Sequence, residues 1–235
     1  MKLPSLTEGT IQKRYKRFFA DVELADGSTV VAHVPNTGSM KTCWEPGWHA
    51  WLSPATNPER KLRWTLELTS PNKNDFIIVN TAVANKLASE ALQNRTLAPF
   101  KDYPSVLAEQ SILDSRFDFK LTGLSGAPDA WVEVKNVTLM ETPGLVSFPD
   151  AVSTRGQKHL HDLIELKRQG LRAAMLYVVS RSDAERFTSA AKIDPDYAAA
   201  LKEALKAGVE VYAVKVNRQG DDYTLKDLLP LEGLA

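Results

Sequence analysis

Ser115-Arg116-Phe117-Asp118-Phe119-Lys120-Leu121-Thr122, followed after a short loop by Trp131-Val132-Glu133-Val134-Lys135-Asn136-Val137, decides how the rest of the chain is read. Both runs alternate polar and apolar residues, and side chains on a strand point to opposite faces at every step. Phe117, Phe119 and Leu121 are therefore expected on one face of the first strand, with Arg116, Asp118 and Lys120 on the other. In the second strand Val132 and Val134 share a face, and Glu133 and Lys135 share the opposite one. The intervening Thr122–Asp129 contains Gly123, Ser125, Gly126 and Pro128, a turn composition. If the strands pair, Asp118, Glu133 and Lys135 meet on one surface.

Two carboxylates and an amine at that spacing have a chemical use. Carboxylate oxygens suit a hard divalent cation such as magnesium, which keeps several waters and bridges to phosphate oxygens. Such a cation offsets charge developing on a phosphodiester and helps generate the attacking hydroxide. A lysine two residues beyond a metal-binding glutamate can orient that water or accept its proton. The spacing itself is common: Glu59-Arg60-Lys61, Asp118-Phe119-Lys120 and Glu165-Leu166-Lys167 repeat it. Only Glu133-Val134-Lys135 sits in an apolar strand preceded by a second acid-bearing strand. A hairpin whose outer face is charged for solubility, with Glu and Lys paired across it, accounts for the same residues.

The 235 residues, 43% of them hydrophobic, suit one large domain or two modest ones. The formal net charge is +0, so bulk positive charge does not hold this chain to nucleic acid, and any anion site must be a local patch. Cys43 is the single cysteine, which excludes an intramolecular disulfide and a thiolate zinc site. Met1–Glu8 lacks the apolar run of a signal peptide and no stretch approaches the length of a membrane span. The expectation is a soluble, cytoplasmic protein with no membrane partner.

Residues 9–80 read as short strands separated by turns. Gly9–Leu24 is expected to be largely extended, Asp26-Gly27 to form a hairpin turn, and Thr29–Val34 to return. Trp48–Leu52, Lys61–Thr69 and Phe76–Val79 follow. About five strands in about 80 residues suit a small closed barrel such as the OB-fold. Lys13-Arg14-Tyr15-Lys16-Arg17-Phe18-Phe19 interleaves basic and aromatic residues, the means by which OB-folds hold single strands. The same residues also serve as an edge strand with a wet, aggregation-resistant side. Asn36-Thr37-Gly38-Ser39 is either a phosphate-facing nest or a plain turn. Trp44, Trp48, Trp51 and Trp64 are expected to pack rather than to stack on bases.

The character changes at Thr81–Asn94, where Ala84, Leu87, Ala88, Ala91 and Leu92 recur at helical spacing. We place a barrel domain at 1–82 and an α/β domain at 83–235. Glu109–Leu113 is expected as a short strand leading into the hairpin, with Glu109 as a candidate third acid, and Glu141–Asp150 as loop. A helix from Ser153 or Thr154 to Gln169 carries Arg155, Gln157, Lys158 and His159 in its first turns. Cations there oppose the helix dipole, so an anionic partner explains them better than helix stability does. His159 and His161 lie about 200° apart around the helix and are expected to face solvent. Leu171–Ser180 reads as a strand buried on both faces, Asp194-Pro195 as the start of a last helix ending at Gly208, and Val209–Val216 as a strand. This part of the chain is α/β.

RYKRFFADVEL (14–24), PNTGSM (35–40), SRFDF (115–119), VEVKNVTL (132–139) and FPDAVSTRGQKHL (148–160) together resemble the sugar fermentation stimulation protein A family of prokaryotes. The resemblance runs in order over nearly the whole chain. It implies an N-terminal OB-fold joined to a domain similar to PD-(D/E)xK nucleases, DNA binding without strong sequence preference, and a link to regulation of sugar (maltose) metabolism. Carried over by position, the nuclease-like motif falls on Asp118, Glu133 and Lys135, with Glu109 upstream. Phe117 stands where the motif's name has proline, a position that ligates nothing. The implied reading is a Mg²⁺- or Mn²⁺-dependent nuclease. Asp118 and Glu133 would ligate metal, and Gln157 and Lys158 would hold the scissile phosphate. Arg14, Lys16 and Arg17, with Asn36 and Thr37, would contact flanking DNA. The alternative is a non-catalytic DNA-binding regulator on the same fold.

Overall fold

Hairpin turns shape the first third of the chain. In the computed structural model, which describes residues 1–234, strands β1 (Thr7–Tyr15), β2 (Phe19–Leu24) and β3 (Thr29–His33) form an antiparallel meander. Gly27 supplies the positive φ that the second turn needs, at 82°, and Asp26 Oδ1 accepts the Ser28 N–H. The stretch Gly9–Leu24 differs from its expected extended run. It folds back at Lys16-Arg17-Phe18, and Tyr15 pairs with Phe19.

Strands β4 (His49–Pro54) and β5 (Trp64–Ser70) extend the sheet through β1–β4 and β4–β5 pairing. Ala32 and His33 of β3 then pair in parallel with Trp64 and Thr65 of β5, closing five strands into an OB-like barrel. Closure removes the sheet edges. Alternate residues such as Ile11, Val22, Leu52 and Leu66 fill the interior, each buried side chain contributing roughly 1.5–3 kcal/mol. Trp44, Trp48 and Trp64 pack against this core, and Trp51 packs against the neighbouring one, as expected of packing residues.

After the short strand β6 (Ile77–Ile78), helix α1 (Ala82–Gln93) opens the second part. Its sheet has six strands in the order β15-β14-β12-β9-β8-β7. These are β7 (Ser105–Ile112), β8 (Ser115–Thr122), β9 (Ala130–Val137), β12 (Arg172–Val179), β14 (Glu210–Gln219) and β15 (Asp222–Leu228). β7, β8 and β9 form the expected meander; β9, β12 and β14 are parallel, and β15 returns antiparallel. Strand β12 is buried on both faces: Ala174, Leu176 and Val178 meet the α1 side, while Ala173, Met175, Tyr177 and Val179 meet α2 (Thr154–Arg168) and α3 (Pro195–Lys206). This is a mixed-sheet α/β layer structure.

The expected loop Glu141–Asp150 is instead largely structured. Strands β10 (Leu139–Thr142) and β11 (Leu145–Phe148) form a hairpin around Pro143-Gly144, with Gly144 at φ 74°. Strand β11 also pairs in parallel with β13 (Arg186–Ser189). That partner lies far along the chain, so local composition carried no sign of it.

The change of character near residue 82 is a boundary in the chain rather than a gap in packing. Leu68, Phe76 and Ile78 of the barrel share one core with Val83, Leu87 and Val132. Met1, Leu3 and Leu6 also pack there, and the Met1 ammonium donates to Glu90 Oε1 at 2.9 Å and to the Tyr223 carbonyl at 2.7 Å. Across the seam Arg181 Nη1 donates to the Thr42 carbonyl at 3.3 Å, while it also holds the Thr138 carbonyl of its own part at 2.8 Å. Among the described residues no helix is long and apolar enough to cross a membrane.

Candidate functional site

Strands β8 and β9 pair from Leu121↔Ala130 to Phe119↔Val132, and the register stops there. Beyond that point Asp118 Oδ2 accepts the Val134 N–H at 2.7 Å, so a carboxylate takes the place of a ladder partner between diverging strands. Its other oxygen accepts from Asn85 Nδ2 of α1 at 2.6 Å. The divergence also moves Phe117 off the face it was expected to share with Phe119 and Leu121. Phe117 packs against Trp131 and His159 on the α2 side, while the other two join the α1 side.

Glu133 lies across from Asp118. Its carboxylate is 4% exposed, and Oε1 receives the Lys135 ammonium at 2.5 Å and the His159 ring nitrogen Nδ1. Oε2 is buried with no hydrogen-bond partner. A buried carboxylate oxygen without a donor is costly unless something absent from the chain satisfies it. Asp118, Glu133 and Lys135 therefore do converge, in a cavity of about 450 Å³ that Asn36, Thr37 and Gly38 wall from the barrel side.

Electrostatics separate the two acids. Burial and the neighbouring Glu133 charge push the Asp118 carboxyl up to about 6. Burial pushes Glu133 the same way, but the His159 hydrogen bond and the Lys135 charge outweigh it and hold that carboxyl below its ordinary range. One acid is thus poised to titrate near neutrality while the other stays charged.

The remaining expected site residues divide. Glu109 sits at φ 55° on edge strand β7, half exposed and ion-paired with Arg116 at 2.5 Å, outside the cavity. Gln157 donates to both oxygens of Asp194 at 2.9 and 3.2 Å. Lys158 donates to the Asp114 carbonyl, Ser115 Oγ and Asp162. Neither reaches the cavity. Arg14 donates to the carbonyls of Asn36, Gly38 and Ser39 at 3.4, 3.2 and 3.2 Å, shaping the cavity wall from behind. Asn36 is buried, accepting from the Gly38 N–H and donating to the Val79 carbonyl. Thr37 is exposed on the cavity rim, and Lys16 and Arg17 are exposed at the β1–β2 turn.

Three further residues join the site, of which Arg155 was expected to face an anionic partner from its place in the first turn of α2. Arg155 lines the cavity, one helical turn before His159. His159 differs from its expected solvent-facing position: it is 3% exposed and seated on Glu133. The only available signal was its place beside the apolar Leu160–Leu163 stripe of α2. Asp150 also lines the cavity, its carboxylate reached by Ser39 Oγ at 3.3 Å and the Met40 N–H at 3.4 Å. Among the described residues no group of three or more His, Cys, Asp and Glu side chains is arranged to hold a metal by itself.

A family model described as the sugar fermentation stimulation protein RE domain matches residues 82–222, and one described as the SfsA N-terminal OB domain matches residues 13–79. The chain is 46% identical over 218 residues to a sugar fermentation stimulation protein homolog of Marinomonas sp., covering 92% of this chain and 84% of that one. It is 43% identical over 233 residues to the homolog of Pseudoalteromonas translucida, covering 97% and 98%. A solved structure, that of Pyrococcus furiosus SfsA in complex with Ca²⁺, superposes with a TM-score of 0.87 at 26% identity, over 99% of this chain and 98% of that one.

Proposed function

The chain belongs to the sugar fermentation stimulation protein family, and from that premise we propose that it is a cytoplasmic DNA-binding protein of low sequence specificity that hydrolyses phosphodiesters with Mg²⁺ or Mn²⁺. The observation that carries this reading is the buried, unpartnered Glu133 Oε2 beside Asp118. Two neighbouring carboxylates, with no third His, Cys, Asp or Glu grouped with them to hold a metal among the described residues, leave coordination positions for water and phosphate oxygens, which suits magnesium better than an all-protein cage would. The complex of the Pyrococcus protein with Ca²⁺ supports hard-cation chemistry on this fold. A link to sugar metabolism is carried by the family's name.

Asp118 and Glu133 would hold the metal, which when bound neutralises phosphate charge and lowers the pKa of a bound water. Lys135, fixed on Glu133 Oε1, orients the attacking water through its remaining N–H donors. Arg155, exposed at the rim, pairs with a phosphate oxygen. Lys16 and Arg17 hold flanking backbone as a local basic patch on a chain of zero net charge.

The test follows DNA binding and DNA cutting side by side across a Mg²⁺ or Mn²⁺ titration. Cutting is expected with either ion, and Glu133→Gln and Lys135→Ala are expected to lose it while retaining DNA. Calorimetry with Mn²⁺ should show weakened cation binding in Glu133→Gln. Cutting that survives both substitutions refutes the assignments, and retention without cutting under any divalent ion leaves a non-catalytic binder.

A further inference from the structure

The turn joining β1 to β2 is built against backbone preference. Lys16 and Arg17 both have positive φ, 47° and 63°, and neither is glycine. The Phe18 N–H donates to the Lys16 carbonyl at 2.8 Å, closing a γ-turn about Arg17 of the rare, strained hand. Glycine would relieve that strain, yet the chain places two long cations there. The strain presents Lys16 and Arg17 to solvent together with the Phe18 ring, which is 41% exposed.

The turn stands on an aromatic base. The Tyr15 and Phe19 rings stack at 5.5 Å and 12°, with the Lys13 ammonium 5.5 Å from the Tyr15 ring. The nearby acid, Asp21, is engaged by the Tyr15 hydroxyl at 3.0 Å. The tip is also tied to the cavity wall. The Phe18 carbonyl accepts from the Val34 N–H at 2.8 Å, two residues before Asn36, and Arg14 of β1 holds the Asn36–Ser39 carbonyls. Tip and wall are thus joined through Val34 and Arg14.

We propose that Phe18 stacks on an unpaired base of a single-stranded DNA segment whose phosphates lie against Lys16 and Arg17, leading that strand to the carboxylate cavity. A duplex side offers phosphates but hides the faces of its bases, so it uses the two cations and leaves the ring idle. A single strand uses all three. The stacking rests on the DNA binding of the proposed function but not on its cutting; the approach to the cavity rests on both.

The experiment measures anisotropy of labelled DNA in EDTA, so that cutting plays no part. It compares a single strand of about 12 nucleotides, within the reach of one such barrel, with a blunt duplex of the same sequence. Phe18→Ala, and Phe18→Leu, which keeps apolar bulk without a π face, are each expected to lower single-strand affinity about tenfold and to leave duplex affinity within about twofold. Phe18 is exposed, and circular dichroism checks that the barrel persists. Unchanged single-strand affinity, or equal loss on both DNAs, overturns the proposal. So does binding to anionic vesicles that these variants abolish while single-strand affinity stays intact. If the wild type fails to cut when metal is restored, the nuclease reading falls and the strand preference stands.

Discussion

The His159 ring nitrogen Nδ1 is hydrogen-bonded to Oε1 of Glu133, linking helix α2 to the central strand of the site. An ionised carboxylate only accepts, so Nδ1 carries the proton in this arrangement. With Lys135 on the same oxygen, the carboxylate is held in one orientation and its second oxygen is left open to the cavity. His159→Ala is expected to lower stability by about 1–3 kcal/mol, because a buried carboxylate loses a donor. It should also weaken Mn²⁺ binding while DNA retention in EDTA is unchanged. His159→Gln, which can still donate, should recover part of the cation affinity. Calorimetry of the two variants decides it: equal Mn²⁺ affinity in both and in the parent would remove His159 from the site.

Asp118 contributes its own pH dependence to stability. Its carboxyl moves from 3.8 up to about 6 on folding, through burial and the Glu133 charge. The folded state then binds this proton more tightly than the unfolded chain, so the contribution of Asp118 to stability falls as pH rises from about 4 through about 6, opposite in sign to that of Glu133, whose carboxyl is held low. Above that window the ionised group costs about 2–3 kcal/mol. Asp118→Asn should therefore raise the melting temperature near neutral pH and gain little near pH 4. A divalent cation should raise the parent's melting temperature near neutral pH and much less in acid, where Asp118 is protonated. Parallel melting curves for parent and variant across this range would contradict the account.

Arg155 and Lys158 lie three residues apart on α2 but serve different places. Arg155 lines the cavity, whereas Lys158 braces the Asp114–Ser115 turn. Arg155→Ala should lower cutting about tenfold or more, in line with loss of a charge-assisted phosphate contact. Lys158→Ala should leave the cutting rate close to the parent's. The reverse ranking in a rate assay would reassign the phosphate contact.

Gly38 keeps the barrel loop against the α/β domain. A Cβ there would lie 2.2 Å from an Asp150 carboxylate oxygen. Gly38→Ala is expected to push that carboxylate away and forfeit its contacts with Ser39 and Met40, lowering stability by roughly 1–2 kcal/mol. Arg14→Ala, which frees three loop carbonyls, should cost a similar amount and also weaken DNA binding through loss of the ordered wall. Thermal melts of both variants test the seam. A melting temperature like the parent's would show that the loop does not carry it.

Much of the architecture was legible because its cause is local. The alternation in Arg116–Leu121 and Trp131–Val137 announced two strands, and Asp26-Gly27 announced a turn. The Asp194-Pro195 pair correctly marked the start of α3, with Asp194 accepting the Tyr197 N–H. The barrel followed from a run of short strands. What stayed hidden depended on distant partners. Leu145–Phe148 became a strand because β13 lies beside it, some forty positions later. Gln157 and Lys158, suitable by charge, were claimed by Asp194 and by the Asp114–Ser115 turn.

Strand periodicity alone put Glu133 and Lys135 on one face and Asp118 on the corresponding face of the strand before, so that the three could meet if the strands paired. Tertiary structure decided which other groups reach them. It buried His159 on Glu133, turned Arg155 toward the cavity, kept Glu109 outside with Arg116, and brought a barrel loop across as the opposite wall. Those outcomes depend on how helix α2 and the barrel dock on the sheet. Docking is fixed by cores assembled from residues scattered along the chain, and no short stretch records it.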